Sequence, residues 1–287
     1  MNHIVILTHQ HEEFSEISYV LKEIAEVWRE RGMRVTVLRG VDQRMDADLA
    51  ILHVDLTVIP DEYLEFMKRY PIAINGFVKD ISKRKISANI VNRRDGYQGP
   101  VMIKTDLNCG GAAEGAMAQK TSLVQKYIRA IRRRLHWSMR AELGMWDYPV
   151  LDSVKKVPRA VWRNSDLVVE RFLPERQDGF YVMRSWLFCG EAEENRVIYA
   201  NQPIVKSPVA VRIEVRNEIP DELRRMRQKL GFDFGKFDYG IVNGRVVLYD
   251  ANRTPVGRGV TPESAPVFKL LASGIDAFLK PRLRAAG

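Results

Sequence analysis

The stretch Phe234-Gly-Lys-Phe-Asp238-Tyr-Gly-Ile-Val-Asn-Gly244-Arg-Val-Val-Leu-Tyr-Asp250-Ala-Asn252 decides how the C-terminal part of this chain folds. Two runs of β-branched and aromatic residues, Phe237 to Val242 and Val246 to Tyr249, flank Asn243-Gly244. Both turn residues accept positive φ, which a two-residue type I′ turn requires, so the stretch predicts a β-hairpin. Closing the turn there brings Asp238, near the start of one strand, and Asp250, at the end of its partner, to the same end of the ribbon. Asn252 lies two residues on and points the same way. Two carboxylates and an amide oxygen form a hard-ligand set suited to Mg²⁺, which takes one or two carboxylates together with substrate phosphates. The competing reading is a solvated hairpin whose Asp250-Ala-Asn-Arg only begins a turn.

Upstream, the strand Val101 to Thr105 carries Lys104 in otherwise apolar company, just before the glycine-rich loop Asn108-Cys-Gly-Gly-Ala-Ala-Glu-Gly115. A lysine beside such a loop can hold a phosphate as a point charge while the backbone closes over it. The order is not that of a P-loop. A basic helix is expected from about Thr121 to Arg140, with Leu123, Tyr127, Ile131 and Leu135 on one stripe. Another is expected from Ser153 to Trp162, leading into the strand Leu167 to Phe172. Alternating strands Phe180 to Phe188 and Val197 to Val205 and a helix Pro220 to Leu230 precede the hairpin.

The first ninety residues read differently. Strands Ile4 to Leu7, Val35 to Leu38, Leu49 to Val54 and Ile72 to Ile74 alternate with helical segments, one with Ile17, Leu21, Ile24, Ala25 and Trp28 on a single face and one from about Pro60. That is a βαβ-type unit with a parallel sheet. Thr8-His-Gln-His11 stands where a GxGxxG would mark a dinucleotide site. His9 and His11 form an HxH pair, read as a loop pair nearer to substrate contact than to a metal site. Domain changes are placed near Asp80 and Pro174, giving an N-terminal unit 1–80, a central lobe 81–173 and a C-terminal lobe 174–287. No internal repeat is visible.

The 287 residues carry a net charge of +9, with 46% apolar and 28% charged side chains, a globular composition that excludes wholesale disorder. The positive charge is concentrated: 13 basic and three acidic residues lie between Ile81 and Ala141. Such a field suits a polyanion, whether nucleic acid, an acidic membrane face or nucleotide phosphates. The longest apolar runs fall well short of the ~18 residues of a membrane span, and no signal peptide is read. Cys109 and Cys189 are the two cysteines, too few and too far apart for a disulfide framework or a zinc site, so a reducing, cytoplasmic setting is expected.

Taken in order, Val101-Met-Ile-Lys104 with Gly110-Gly111, Leu167-Val-Val-Glu-Arg-Phe-Leu-Pro174, Tyr181-Val-Met-Arg-Ser-Trp186, Phe234-Gly-Lys-Phe-Asp-Tyr239 and Leu248-Tyr-Asp-Ala-Asn-Arg-Thr-Pro255 resemble the ATP-grasp family. The last pair is similar to the (R/K)-x-D and (E/D)-x-N-x-x-P signature of D-alanine–D-alanine ligases. The resemblance covers about Asp80 to Pro255. It implies an α/β domain followed by two α+β lobes that hold ATP between them.

The resemblance also implies roles. Lys104 would hold the α- and β-phosphates, with Lys83 as the second lysine in competition with Arg84 and Lys85. Gly110 and Gly111 would belong to the lid, and Glu170, Arg171, Phe172 and Leu173 to the hinge that reads adenine. Asp178, with Glu175 second, would bind ribose. Arg184 and Lys206 would face the transferred phosphate, Asp238, Asp250 and Asn252 would bind Mg²⁺, and Lys236 would sit near the reacting carbonyl. Lys236, Asp250, Arg253 and Val256 depart from the commoner Arg, Glu, small residue and Gly. Arg253, and after it Arg258, is the expected partner for an acceptor carboxylate.

The implied function is an ATP- and Mg²⁺-dependent ligase that joins a small-molecule carboxylate to an amine through an acylphosphate. A small-molecule kinase of the same fold and a basic nucleic-acid-binding module are the alternatives. Cys109 has no partner His within motif reach and is not expected to act as nucleophile. No membrane partner is expected, and a homodimer is left open.

Overall fold

The computed structural model describes residues 2–118, 136–140, 143–144, 148–257 and 259–280. Its order begins β1 (His3–Thr8), α1 (Val20–Glu30), β2 (Arg34–Arg39), β3 (Leu49–Leu52), α2 (Asp61–Met67) and β4 (Ala73–Ile74). The strands pair in parallel in the order β2-β1-β3-β4. This is the βαβ unit that the alternating pattern predicts, and its central strand β1 is buried almost throughout because helices cover both faces. Leu21, Ile24, Ala25 and Trp28 of α1 form the buried stripe.

A short helix α3 (Lys83–Ile86) leads to β5 (Val101–Thr105), a tight turn Asn108–Gly111, α4 (Ala112–Ala118), β6 (Val150–Leu151) and β7 (Leu167–Arg171). The three strands form an antiparallel sheet in the order β6-β5-β7. The helix expected from Ser153 to Trp162 is instead two single turns, Val154–Lys156 and Val161–Arg163. Pro158 lies between them: it has no N–H to donate and drives Val157 to an extended backbone. The basic helix expected from Thr121 falls outside the described residues up to 135. Trp137–Met139 form one 3₁₀ turn.

The remaining strands are β8 (Glu175–Gln177), β9 (Phe180–Cys189), β10 (Ala192–Ala200), β11 (Arg212–Val215), β12 (Phe234–Val242) and β13 (Arg245–Asn252). They build an antiparallel sheet in the order β11-β10-β9-β12-β13, with β8 on β9. The strand expected at Val197 to Val205 begins five residues earlier and ends at Ala200, where Pro203 and the Lys206 turn leave the ladder. Helix α5 (Asp221–Leu230) covers one face of this sheet. Helix α6 (Ala265–Ser273), followed by α7 (Asp276–Leu279), joins its other end to α1. Asn243 (φ 51°) and Gly244 (φ 75°) make the hairpin turn as the sequence predicts.

The hydrophobic cores explain how the parts hold together. One core runs from Ile4, Ile24 and Trp28 to Cys189, Phe234, Phe268 and Leu271, so the N-terminal sheet and the C-terminal sheet share buried surface. The Trp28 Nε1–H donates to the Ala272 carbonyl at 2.8 Å inside it. Another core packs Trp186, Phe188, Phe237, Tyr239 and Leu248 under α5. The face of the large sheet that α5 does not cover is left to a cleft.

Candidate functional site

Strand register places the chemistry. In an antiparallel sheet, directly paired residues share a face. The pairs Val215–Arg196, Arg196–Ser185, Ser185–Asp238 and Asp238–Asp250 therefore form one row across five strands. Glu194–Leu187, Leu187–Lys236 and Lys236–Asn252 form the next. Both rows line a cavity of about 1050 Å³. Trp186, Phe237 and Ala251, one position out of phase, point into the core below.

The hairpin delivers what its sequence promises: Asp238 and Asp250 are cross-strand partners, with a bulge just after Asp238. Each carboxylate is held by a lysine. Lys236 Nζ lies 2.9 Å from Asp238 Oδ2, and Lys83, buried at the start of α3, donates to Asp250 Oδ1. Burial alone would depress the Lys83 ammonium, but Asp250 more than offsets it and holds Lys83 above the usual lysine value. Lys236 is raised in the same way by Asp238, against burial. Burial would raise Asp250, and Lys83, Lys236 and Lys104 together reverse that and hold it below the usual carboxylate range. Ser185 Oγ donates to Asp238 Oδ1 at 2.8 Å. Asn252 Oδ1 accepts from Thr254 N at 2.8 Å, which fixes the amide.

Lys104, at the second-last position of β5, lies 2.7 Å from Glu170 Oε2 and reaches toward the Tyr249 carbonyl at 3.4 Å. Glu170, Arg171, Phe172 and Leu173, at the end of β7 and just beyond, line the same cavity. Tyr249 ties this segment to the hairpin: its hydroxyl donates to Leu173 O at 2.8 Å. Lys206 also lines the cavity, with its ammonium 5.9 Å from the Tyr148 ring, and burial lowers its pKa. Of the three competing basic residues at α3, the structure brings Lys83 to the cavity. Arg84 turns outward to the Ser165 carbonyl, and Lys85 is exposed.

The glycine turn packs tightly. Gly110 (φ 71°) would place a Cβ 2.7 Å from the Leu143 carbonyl, so both its backbone angle and its surroundings exclude a side chain. Cys109, beside it, reaches the cavity, and its thiol is pushed up to about 11, by desolvation first and then by the Asp250 and Asp55 charges. A thiol held protonated is a poor nucleophile, in keeping with the sequence reading.

Several expected positions fall elsewhere. Arg184 faces away from the cavity, between Met183 and Ser185 that face it, and pairs with Glu175 at 2.7 Å. Glu175 also accepts from Ile241 N at 2.7 Å, so its carboxylate is committed within the sheet. Asp178 sits in the exposed β8–β9 turn at φ 52°, outside the cavity lining. Arg253 is fully buried, and its guanidinium donates to the carbonyls of Val78, Leu56 (2.7 Å) and Thr57 (2.8 Å). It ties the chain just past β13 to the backbone at Leu56, Thr57 and Val78, and it does not line the cavity. Arg258 lies outside the described residues.

His9 stacks on Tyr63 at 5.8 Å and meets His11 edge-on. Among the described residues no three His, Cys, Asp or Glu side chains cluster to hold a metal, so a divalent ion here would rely on Asp238 and Asp250 with the Asn252 amide. That hard-oxygen set fits Mg²⁺. Sequence reading missed Ser185 and Arg196, whose guanidinium pairs with Glu194 in the cavity wall. Strand alternation was their available signal.

A second polar group fills the seam below the cleft. Glu12, Tyr19, His53, Asp55 and Thr254 are buried or nearly so. Thr254 Oγ1 donates to Asp55 at 2.6 Å, Tyr19 OH donates to Asp55 at 3.1 Å, and Glu12 Oε1 lies 3.8 Å from His53 Nδ1. Burial raises Glu12 to about 7 and lowers His53 to about 3. Thr57 joins this seam to the glycine turn: its N–H donates to Glu114 Oε1 at 2.7 Å, and its hydroxyl accepts from Asn108 N at 2.8 Å.

No protein-family model and no curated protein matches the sequence. Solved structures align over almost the whole chain. An ATP-grasp RimK domain protein from Sphaerobacter thermophilus is 10% identical, covers 95% of this chain and 99% of its own, and has a TM-score of 0.48. D-alanine–D-alanine ligase from Bacillus anthracis complexed with ATP is 13% identical over 97% and 98%, with a TM-score of 0.46. A RiPP-associated ATP-grasp ligase from Chryseobacterium gregarium, in complex with ADP and a leader and core peptide, is 10% identical over 97% of each chain, with a TM-score of 0.49. In the course of its backbone, the chain resembles ATP-grasp proteins.

Proposed function

We propose that this chain is an ATP-dependent ligase that uses Mg²⁺ to join a carboxylate to an amine. The observation that supports it most is the pair of registered rows. They set Asp238, Asp250, Asn252 and Lys236 side by side in one cavity with Lys83, Lys104 and the Glu170–Leu173 segment. Few arrangements need so many cations and two carboxylates together. A polyphosphate bridged by a divalent cation is one that does.

The residues would act by position and charge. The backbone from Glu170 to Leu173 would meet the base, while Lys104 and Lys83 would take the phosphates, each giving up part of its present carboxylate contact. Asp238, Asp250 and Asn252 would hold Mg²⁺, which when bound shields phosphate oxygens and favours attack at phosphorus. A substrate carboxylate oxygen would form a bond to the γ-phosphorus as the bond to ADP breaks. The amine would then add to the carbonyl carbon of the acylphosphate, lose its proton, and expel inorganic phosphate with the C–O electron pair. Lys236, which shares its row with Asn252, would face the oxygen on which charge grows. No protein nucleophile is required.

Isothermal calorimetry with ATP tests the first half. Affinity should fall at least tenfold when magnesium is withheld, and negligible binding in both conditions would sink the assignment. Release of inorganic phosphate together with a new amide distinguishes a ligase from a kinase, which would retain the phosphate on its product.

A further inference from the structure

Along β13 the cavity can be followed in order. Tyr249 lies beside the Glu170–Leu173 segment, Asp250 and Asn252 occupy the middle, and the wall continues past Pro255. Beyond the Lys236–Asn252 row its character changes. The next residues of the sheet, Cys189 and Phe234, close into the interdomain core with Phe268. Above them the cavity is walled by Leu187, Val267, Phe268, Val20 and Val256. The N-terminal domain is fastened here by backbone: Val20 N donates to Pro255 O at 2.9 Å, and Gly257 N donates to Ser18 O at 2.7 Å.

This annex differs from the rest of the cleft in charge. Near the hairpin and hinge, six cations, Lys83, Lys104, Arg171, Arg196, Lys206 and Lys236, line the cavity. Among the described lining residues past Pro255, the one charged side chain is Glu263, on the exposed rim. Hydrogen bonding to Thr261 and its own backbone holds it below the usual carboxylate range, so it is ionised at neutral pH. A cavity of about 1050 Å³ stands at the upper end of the roughly 300 to 1,000 Å³ typical of small-molecule sites, large enough for a small second molecule beside a nucleotide.

We propose that the annex formed by Val20, Leu187, Val256, Val267 and Phe268, with Glu263 at its rim, binds an amine substrate bearing an apolar side chain. The inference rests on the nucleotide reading above. If phosphates occupy the lysines and the hairpin, the amine must reach a face of the acyl carbon from the side they leave open, and that side is the annex. An ammonium finds Glu263 there. A free carboxylate finds no cation among the described annex residues. An alkyl or aryl side chain gains by leaving water for Leu187, Val267 and Phe268.

The test is calorimetry on the full chain saturated with Mg²⁺ and ADP, titrated with three probes: leucinamide, glycinamide and 4-methylpentanamide. The last has the leucine side chain without the ammonium. The wild type should bind leucinamide about tenfold or more tightly than glycinamide, and three- to tenfold more tightly than 4-methylpentanamide. E263Q should bring leucinamide down to the level of 4-methylpentanamide and leave the latter unchanged. V256N, at a side chain 57% exposed and therefore tolerant of change, should cut the leucinamide-to-glycinamide ratio below about threefold. Equal affinity for leucinamide and glycinamide in the wild type, or ratios unmoved by both variants, would overturn the proposal. The two readings fail differently: absence of ADP binding removes the nucleotide site and the annex with it, whereas normal ADP binding with no side-chain preference removes the annex alone.

Discussion

Lys83 and Arg253 are both buried cations, 4% and 0% exposed, and both contact the end of the hairpin or its continuation, yet their partners are of opposite kinds. Lys83 meets a carboxylate, Asp250, at the wall of a cavity. Arg253 meets three backbone carbonyls in a closed seam, and Asp55, Asp80 and Glu114 act on it through charge alone while burial lowers it to about 10. A side-chain counterion can be exchanged for a phosphate when one arrives. A peptide carbonyl cannot leave. On the proposed reading, buried charge beside the cavity serves chemistry, and buried charge in the seam serves architecture.

The largest effect that tests this contrast is on turnover. Asp238→Asn should lower substrate-dependent phosphate release by about 10²- to 10³-fold, the size typical of losing one preorganised electrostatic group. Its melting temperature should stay near wild type, because Lys236 is partly exposed and can be hydrated. Near-normal release would remove Asp238 from the cation site.

Arg253→Met should do the reverse. Leaving buried carbonyls without a donor costs on the order of 3 to 5 kcal/mol. Urea unfolding should register that loss, while ATP affinity measured on the folded fraction is unchanged. If stability holds and the KM for the carboxylate substrate rises, Arg253 belongs to the cleft after all.

Lys104→Ala is a milder cleft variant. ATP affinity should fall about tenfold, and stability should fall by less because Lys104 borders a cavity that water can enter. A large drop in melting temperature with unchanged affinity would move Lys104 to the architectural side.

The smallest effect is in pH dependence, and it belongs to the seam. Glu12, raised to about 7, contributes stability that is full below its unfolded value near 4.5 and is lost as pH rises toward 7. His53, lowered to about 3, contributes stability that is present above 6.5 and is lost as pH falls from there toward 3. Between pH 4.5 and 6.5 the two slopes oppose each other. Glu12→Gln should leave the His53 slope alone, so its melting temperature, higher than wild type at pH 8, should fall more steeply below pH 6.5. Parallel profiles for the two proteins would show that Glu12 does not titrate in this range.

The sequence made local structure legible and left non-local register hidden. The hairpin was readable because Asn243-Gly244 fixes both its turn and its register within a few residues. Lys104 was singled out by type and neighbourhood, whereas Lys83 was reached through the family resemblance, with Arg84 and Lys85 in competition. Arg184 was not legible, since its orientation depends on how β9 pairs with β12, about fifty residues away, and a shift of one position exchanges it with Ser185. Asp178 was misplaced because β8 turns into β9 within two residues and carries it to the outside. Arg253 offered a clue in its parity: if Asn252 faces the cleft with Asp250, the next residue on an extended chain faces away. The seam of Glu12, His53 and Asp55 gave no signal, because those residues meet only when β3 pairs with β1 and sets their ends side by side, and Thr254 joins them from beyond β13.

The pairing of Asp238 with Lys236 and of Asp250 with Lys83 has a consequence for how ligands enter. A hairpin whose carboxylates are already neutralised folds and waits without an ion, free of the mutual repulsion that two bare anions on adjacent strands would impose. Loading such a site is an exchange rather than an addition: the incoming cation must displace ammonium groups, and those groups need somewhere to go. On the proposed reading, phosphate oxygens would be that destination. Ion and nucleotide would then each supply the leaving partner that the other needs, and each would bind more weakly alone than with the other.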